Sequence, residues 1–134
     1  MNAVEAIRKV ESEAKQRAKP DTITHETMAV GEYHRQGDVY FTRLKAVPSG
    51  AESMELAAQI VPGNTQGSRH VLSSLDGVTM FRRSNSRPLD GPVVKCKTPI
   101  EVTHPEHGHV VLPAGVYSVN FQRQYAEELK RVAD

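Results

Sequence analysis

At 134 residues, with a hydrophobic share of 38% and a charged share of 25%, the chain is the size of one domain. A domain of that size folds without a disulfide or a structural metal. A formal net charge of +1 supplies no overall attraction to a nucleic-acid polymer or an anionic membrane. The single cysteine excludes an intrachain disulfide. No apolar run approaches the roughly 18 residues of a membrane span, and the N-terminus has no signal-type apolar stretch, so the expected location is the cytosol. With no Trp and three Phe, the core is expected to be small and mostly aliphatic. Cys96 is expected inside it as an inert thiol.

Residues 2 to 19 carry the clearest helical pattern. Val4, Ile7, Val10 and Ala14 form one apolar stripe, and Glu5–Lys9, Glu11–Lys15 and Glu13–Arg17 are i,i+4 pairs with Glu first. Pro20 ends the pattern. The narrow stripe predicts a self-associating arm in a homo-oligomer, slightly ahead of one that docks on the body. Residues 20 to 36 have no sustained period and read as a linker or extended arm, with a β-rich domain expected from 37 to 134. Val39 to Leu44 is rich in β-formers. Residues 51 to 59 suit either a turn or two of helix or an extended path to Ile60 and Val61. A polar loop over 62 to 69 precedes a short strand at 70 to 72, and Asp76-Gly77 predicts a hairpin turn into Val78 to Phe81. After a polar loop over 84 to 92, two more short strands are expected at 93 to 97 and 100 to 103.

The best-defined expected strand pair flanks Pro113-Ala114-Gly115. In its exit strand, 116 to 125, Tyr117, Val119 and Phe121 point one way, opposite Ser118, Asn120 and Gln122. That alternation suits a half-buried antiparallel sheet. A short helix is expected over 126 to 133, with Leu129 and Val132 inward and Glu127–Arg131 as an i,i+4 pair. The fold class expected is therefore mainly β: a small antiparallel sandwich or partly open, cupin-like barrel with a helical N-terminal arm and a short C-terminal helix.

Three polar segments carry the candidate chemistry. His34, Arg35 and Asp38 surround Gly37 before the first strong strand; Arg35 and Asp38 could pair on the surface, or His34 and Arg35 could line a rim. In Gly63 to His70, two glycines expose backbone N–H groups. There Asn64, Thr65, Gly67, Ser68 and Arg69 make a recipe for gripping phosphate or carboxylate, without the GK[ST] ending of a Walker loop. Thr103 to His109 holds three of the six histidines beside Glu106. His104 closes the Ile100–Val102 face and is open to burial with hydrogen bonds from the Thr103 region or from backbone, while Pro105 and Gly108 imply a tight turn.

Two resemblances follow from these motifs. Gly108, Pro113, Gly115 and Asn120 are similar to the second motif of the cupins, and Ser68-Arg69-His70 is similar to their H-x-H. Ser118 and Ser68 stand where cupins place histidines, so that resemblance implies shape more than catalysis. From His34 to Tyr125 the chain resembles a group of small uncharacterised bacterial and phage proteins. The shared stretches are His34 to Val39, Gly63 to His70, Thr103 to Gly108, Leu112 to Gly115 and Gln122 to Tyr125. This implies a phage or mobile-element origin and no particular activity.

The function expected is non-enzymatic binding of a small anionic ligand, such as a nucleotide or nucleotide-derived signal, in a site shared between subunits. Ser68, Arg69 and the backbone near Gly67 would take the phosphate. His70, His104 and His107 would add donors, and Gln122 or Tyr125 would touch the remainder. No cofactor is expected. The rival reading is a metal-dependent cupin-like enzyme with His70, His104, Glu106 and His107 as ligands to a divalent ion. A third is a structural adaptor acting through the helical arm.

Overall fold

The computed structural model describes residues 21 to 122. The helices expected over 2 to 19 and 126 to 133, and Tyr125, lie outside the described residues. Ten strands occur among the described residues: β1 (Thr22–Thr24), β2 (Tyr33–Gln36), β3 (Val39–Leu44), β4 (Glu52–Met54), β5 (Val71–Leu72), β6 (Val78–Arg82), β7 (Asp90–Cys96), β8 (Ile100–Thr103), β9 (His109–Leu112) and β10 (Gly115–Phe121). Their only helical turn is a 3-10 turn at Gln66–Ser68.

The strands form two sheets, one in the order β1-β9-β8-β5 and the other β2-β3-β10-β7-β6-β4. Every pairing is antiparallel except β1 with β9. The sheets pack as a sandwich that is not closed into a barrel.

Alternation along the strands explains why these residues pack. Val39 and Phe41 on β3, Met80 on β6, Val94 and Cys96 on β7, and Tyr117, Val119 and Phe121 on β10 turn inward. They meet Leu72, Val102, Val110 and Leu112 of the smaller sheet. A fully buried side chain of this size stabilises the fold by roughly 1.5–3 kcal/mol, so the interleaved apolar faces hold the two sheets together. Cys96 lies within this core, where burial pushes its thiol pKa up.

Three expectations change. Residues 20 to 36 were expected to be a linker or extended arm outside the β-domain, yet they supply β1 and β2, whose shortness (three and four residues) hides any period. The Asp76-Gly77 turn does not join paired strands: β5 pairs with β8, while β6 pairs with β4 and β7. Similarly, β9 and β10 belong to different sheets. In both cases the turn signal fixes a local change of direction, and the chain uses it to cross between sheets. Of the two paths open to residues 51 to 59, the extended one is taken. β4 leads into a segment that runs along the β5 edge, with Leu72 N–H donating to Ala58 O at 2.8 Å and Ile60 N–H to His70 O at 3.0 Å.

The crossing after β9 is fixed by side chains. Tyr117 donates its hydroxyl to Pro113 O at 2.5 Å, and Arg43 donates to Ala114 O at 3.0 Å. A Cβ at Gly115 would collide with the Arg43 guanidinium, so this corner requires glycine for close approach. No helix among the described residues is long and apolar enough to cross a membrane.

Candidate functional site

At one end of the sandwich the β2–β3 hairpin, the loop before β5 and the turn after β8 come together. Alternation along β2 turns His34 and Gln36 inward, because they pair with the inward residues Phe41 and Val39. Gln36 then acts as a three-way junction. Its amide nitrogen donates to Val102 O at 2.9 Å and to Gly108 O at 2.7 Å. With the nitrogen so fixed as donor, Oε1 is the acceptor for His70 Nδ1, 2.7 Å away. This places the His70 proton on Nδ1.

His104 is satisfied entirely by backbone. Its Nδ1 accepts from the N–H groups of Glu106 and His107, both at 3.1 Å, so the proton sits on Nε2 and points at Gly67 O, 3.2 Å away. The rings form a row, with 4.3 Å between the centres of His70 and His104 and 4.7 Å between those of His104 and His107. Gln36, His70 and His104 are almost fully buried, and His107 is at the surface.

Burial keeps His70 and His104 neutral. Desolvation, and then the neighbouring His104 and His107, push the His70 pKa down to about 3, against a smaller opposing pull from the Gly67 carbonyl. Desolvation likewise lowers His104, although Gly67, Glu106 and Asp38 pull the other way. Gly37 caps the row. Its φ is +59°, which favours glycine, and a Cβ there would lie 2.5 Å from the His107 ring and push that exposed ring aside.

The candidate residues separate into two groups. Ser68, His70 and His104 are buried, and the Ser68 hydroxyl sits 3.0 Å from that of Thr65. The expected anion cradle is largely occupied by the loop itself: Ser68 N–H donates to Thr65 O, Arg69 N–H to Gln66 O and His70 N–H to Ser68 O. Arg35, Asn64, Thr65, Arg69, Glu106 and His107 are exposed around this end. Arg35 does not pair with Asp38. It donates through Nε to Gly37 O at 2.8 Å and through a terminal nitrogen to Gln122 Oε1 at 3.1 Å, and it lies 5.6 Å from the centre of the Tyr40 ring. His109 stands apart on β9, beyond the turn, with its buried Nδ1 unpartnered among the described residues.

The set His70, His104, Glu106 and His107 is not arranged as a coordination sphere. His104 has no free lone pair, and among the described residues no group of three or more His, Cys, Asp or Glu is placed to hold a metal ion.

Three features escape a reading by motif. Gln36 is the junction of the whole end, and only its inward register on β2 marks it. His34 turns away from the rim to meet His25, with His25 Nε2 and His34 Nδ1 2.9 Å apart. On the outer face of the larger sheet, Arg83 reaches both Ser118 and Asp90. Ser118 donates to Asn120 Oδ1 at 2.6 Å, and Asn120 donates to Asp90 Oδ1 at 3.0 Å. The polar face of β10 is thus tied up within the protein.

Fold and site together define a two-sheet β-sandwich domain with a buried, neutral His70–His104 pair at one end. The chain belongs to the family described as a domain of unknown function, DUF8820, whose model matches residues 35 to 122. The matched range runs between the two residues joined by the Arg35–Gln122 hydrogen bond. No curated protein and no solved structure matches the chain.

Proposed function

We propose that the histidine end is a binding surface for a small anionic ligand and that the protein captures this ligand without turning it over. The observation that carries the reading is the meeting of three polar segments, distant in sequence, around Gln36 and Gly37. Arg35, Arg69 and His107 are the exposed groups with donors suited to phosphate or carboxylate. Asn64, Thr65 and Gln122 add neutral polar contacts. His70, His104 and Ser68 act as the fixed floor beneath them, rather than as ligand contacts.

The same geometry favours capture over catalysis. A general base needs a lone pair that reaches the substrate, whereas the His104 lone pair is taken by the Glu106 and His107 N–H groups and the His70 ring is almost fully buried. Under this reading the ligand is a nucleotide or a similar phosphorylated signal. The protein is a cytoplasmic homo-oligomer of phage or mobile-element origin, and capture lowers the free concentration of the signal.

Titration calorimetry with nucleoside mono-, di- and triphosphates, cyclic dinucleotides and inorganic phosphate tests this. Saturable heat with at least one of them, weakened about tenfold or more by Arg69→Ala, is the expected result. A flat thermogram across the panel overturns the proposal.

A further inference from the structure

The His25–His34 pair lies outside the residues matched by the family model and apart from the histidine row. His25 follows β1, the edge strand of the smaller sheet, and its backbone N–H donates to Val111 O at 2.9 Å. His34 lies on β2, the edge strand of the larger sheet. The two rings meet edge to face with centres 4.9 Å apart, so the contact spans the open side of the sandwich where the two sheet edges face each other. Neither ring is fully buried.

We infer that His25 and His34 form a two-imidazole site for a divalent transition-metal ion of the nickel or copper type. The distance between the facing nitrogens carries the inference. Metal–nitrogen bonds of about 2.0–2.1 Å meeting at a right angle set two ligand nitrogens about 2.9 Å apart, and meeting tetrahedrally about 3.4 Å apart. The observed separation of 2.9 Å between His25 Nε2 and His34 Nδ1 fits the right-angled geometry of copper(II) and nickel(II). Only one proton can lie between these nitrogens, so the neutral pair already has one lone pair directed at the contact. Tautomerisation, which moves the shared proton to the other nitrogen of the donor ring, and a modest swing of both rings would direct the second lone pair to the same ion while both imidazoles stay neutral.

The shell is completed by water, since no third His, Cys, Asp or Glu joins the pair among the described residues. A bound ion would tie the edge of one sheet to the edge of the other.

Copper(II) and nickel(II) titrated into tag-free full-length protein at pH 7.5, followed by calorimetry and by melting temperature, test the site. One equivalent should bind and raise the melting temperature. His25→Ala and His34→Ala should each weaken binding at least about tenfold, the loss that removal of even an outer-shell partner can cause. His107→Ala should leave it unchanged. Electron paramagnetic resonance of the copper-loaded wild-type protein should show coupling to two imidazole nitrogens, a readout that does not depend on how the variants fold. The inference is overturned by absence of stoichiometric binding, by coupling to fewer than two imidazoles, or by binding that survives both alanine substitutions or disappears with His107→Ala. Anion capture at the histidine end stands or falls separately, because its test uses phosphate-bearing probes without metal.

Discussion

Two pairs of histidines in this domain do opposite work. His70 and His104 stack within the packed end of the sandwich, with their hydrogen-bonding nitrogens facing Gln36 and backbone groups. His25 and His34 meet on an open side, and each has the other imidazole as its side-chain partner. The first pair is fixed by groups that cannot leave without opening the fold. The second is held by a single proton that an ion or water can replace. Residue type is therefore a weak guide to histidine function; the identity of the partner at each nitrogen is a stronger one.

The sharpest way to break this contrast is to remove Gln36. Gln36→Leu would leave His70 Nδ1–H and the Val102 and Gly108 carbonyls without their buried partner. Buried unsatisfied groups cost about 1–3 kcal/mol each. With partial relaxation, urea unfolding should show a loss of roughly 3–4 kcal/mol. His25→Ala should lose no more than about 1 kcal/mol, since its ring is partly exposed and its bond has a solvent alternative. Equal losses would erase the distinction between the pairs.

Acid provides the next largest effect. The folded pKa values of His70 and His104 lie below the ordinary value, so the unfolded chain binds these protons first as pH falls. Their stabilising contribution is complete above about pH 6.5 and declines as the pH falls toward the His70 value of about 3. His70 adds a limiting slope of about 1.4 kcal/mol per pH unit within that window, and His104 acts in the same direction. Denaturation curves between pH 7 and 4 should show this fall, and His70→Gln should flatten it by the share of one proton. A His70→Gln slope identical to wild type would mean that His70 is not held neutral.

A smaller effect is expected at the cap. Gly37→Ala combines an unfavourable positive φ with a Cβ that displaces the His107 ring. Because His107 is exposed and can swing away, the loss should be about 1–2 kcal/mol in thermal or urea unfolding. A neutral result would show that the hairpin adjusts without disturbing the row.

The architecture was largely legible where strands alternate over several residues. The split of Tyr117, Val119 and Phe121 from Ser118 and Asn120 on β10 is both a sequence pattern and the observed division of faces. Pairing was not legible, because Asp76-Gly77 and Pro113-Ala114-Gly115 mark changes of direction without saying which sheet receives the next strand. β1 and β2 were hidden because three or four residues cannot establish a period. At the candidate site, the motifs around Ser68 and His104 indicated which segments meet. The apolar face ending at His104 pointed to its burial and backbone bonding, but nothing indicated that Ser68 and His70 would be buried beside it or that Gln36, an unremarked amide, would hold His70. That depends on which neighbour supplies each hydrogen bond, a tertiary fact.

The mildest substitution separates support from contact most directly. Arg35 is exposed and is held by Gly37 O, Gln122 and the face of Tyr40 rather than by a buried ion pair. Exposed polar contacts of this kind contribute little to folding, so Arg35→Ala should change unfolding stability by no more than about 0.5 kcal/mol. The same change removes a guanidinium beside Gly37 and should weaken any phosphate-bearing ligand found by calorimetry about tenfold, an effect of about 1.4 kcal/mol. A variant that binds normally but unfolds early would assign Arg35 to the scaffold and move the capture surface toward Arg69 and His107. A stable variant with weakened binding would place the contacts on the rim and leave the buried imidazoles as its foundation.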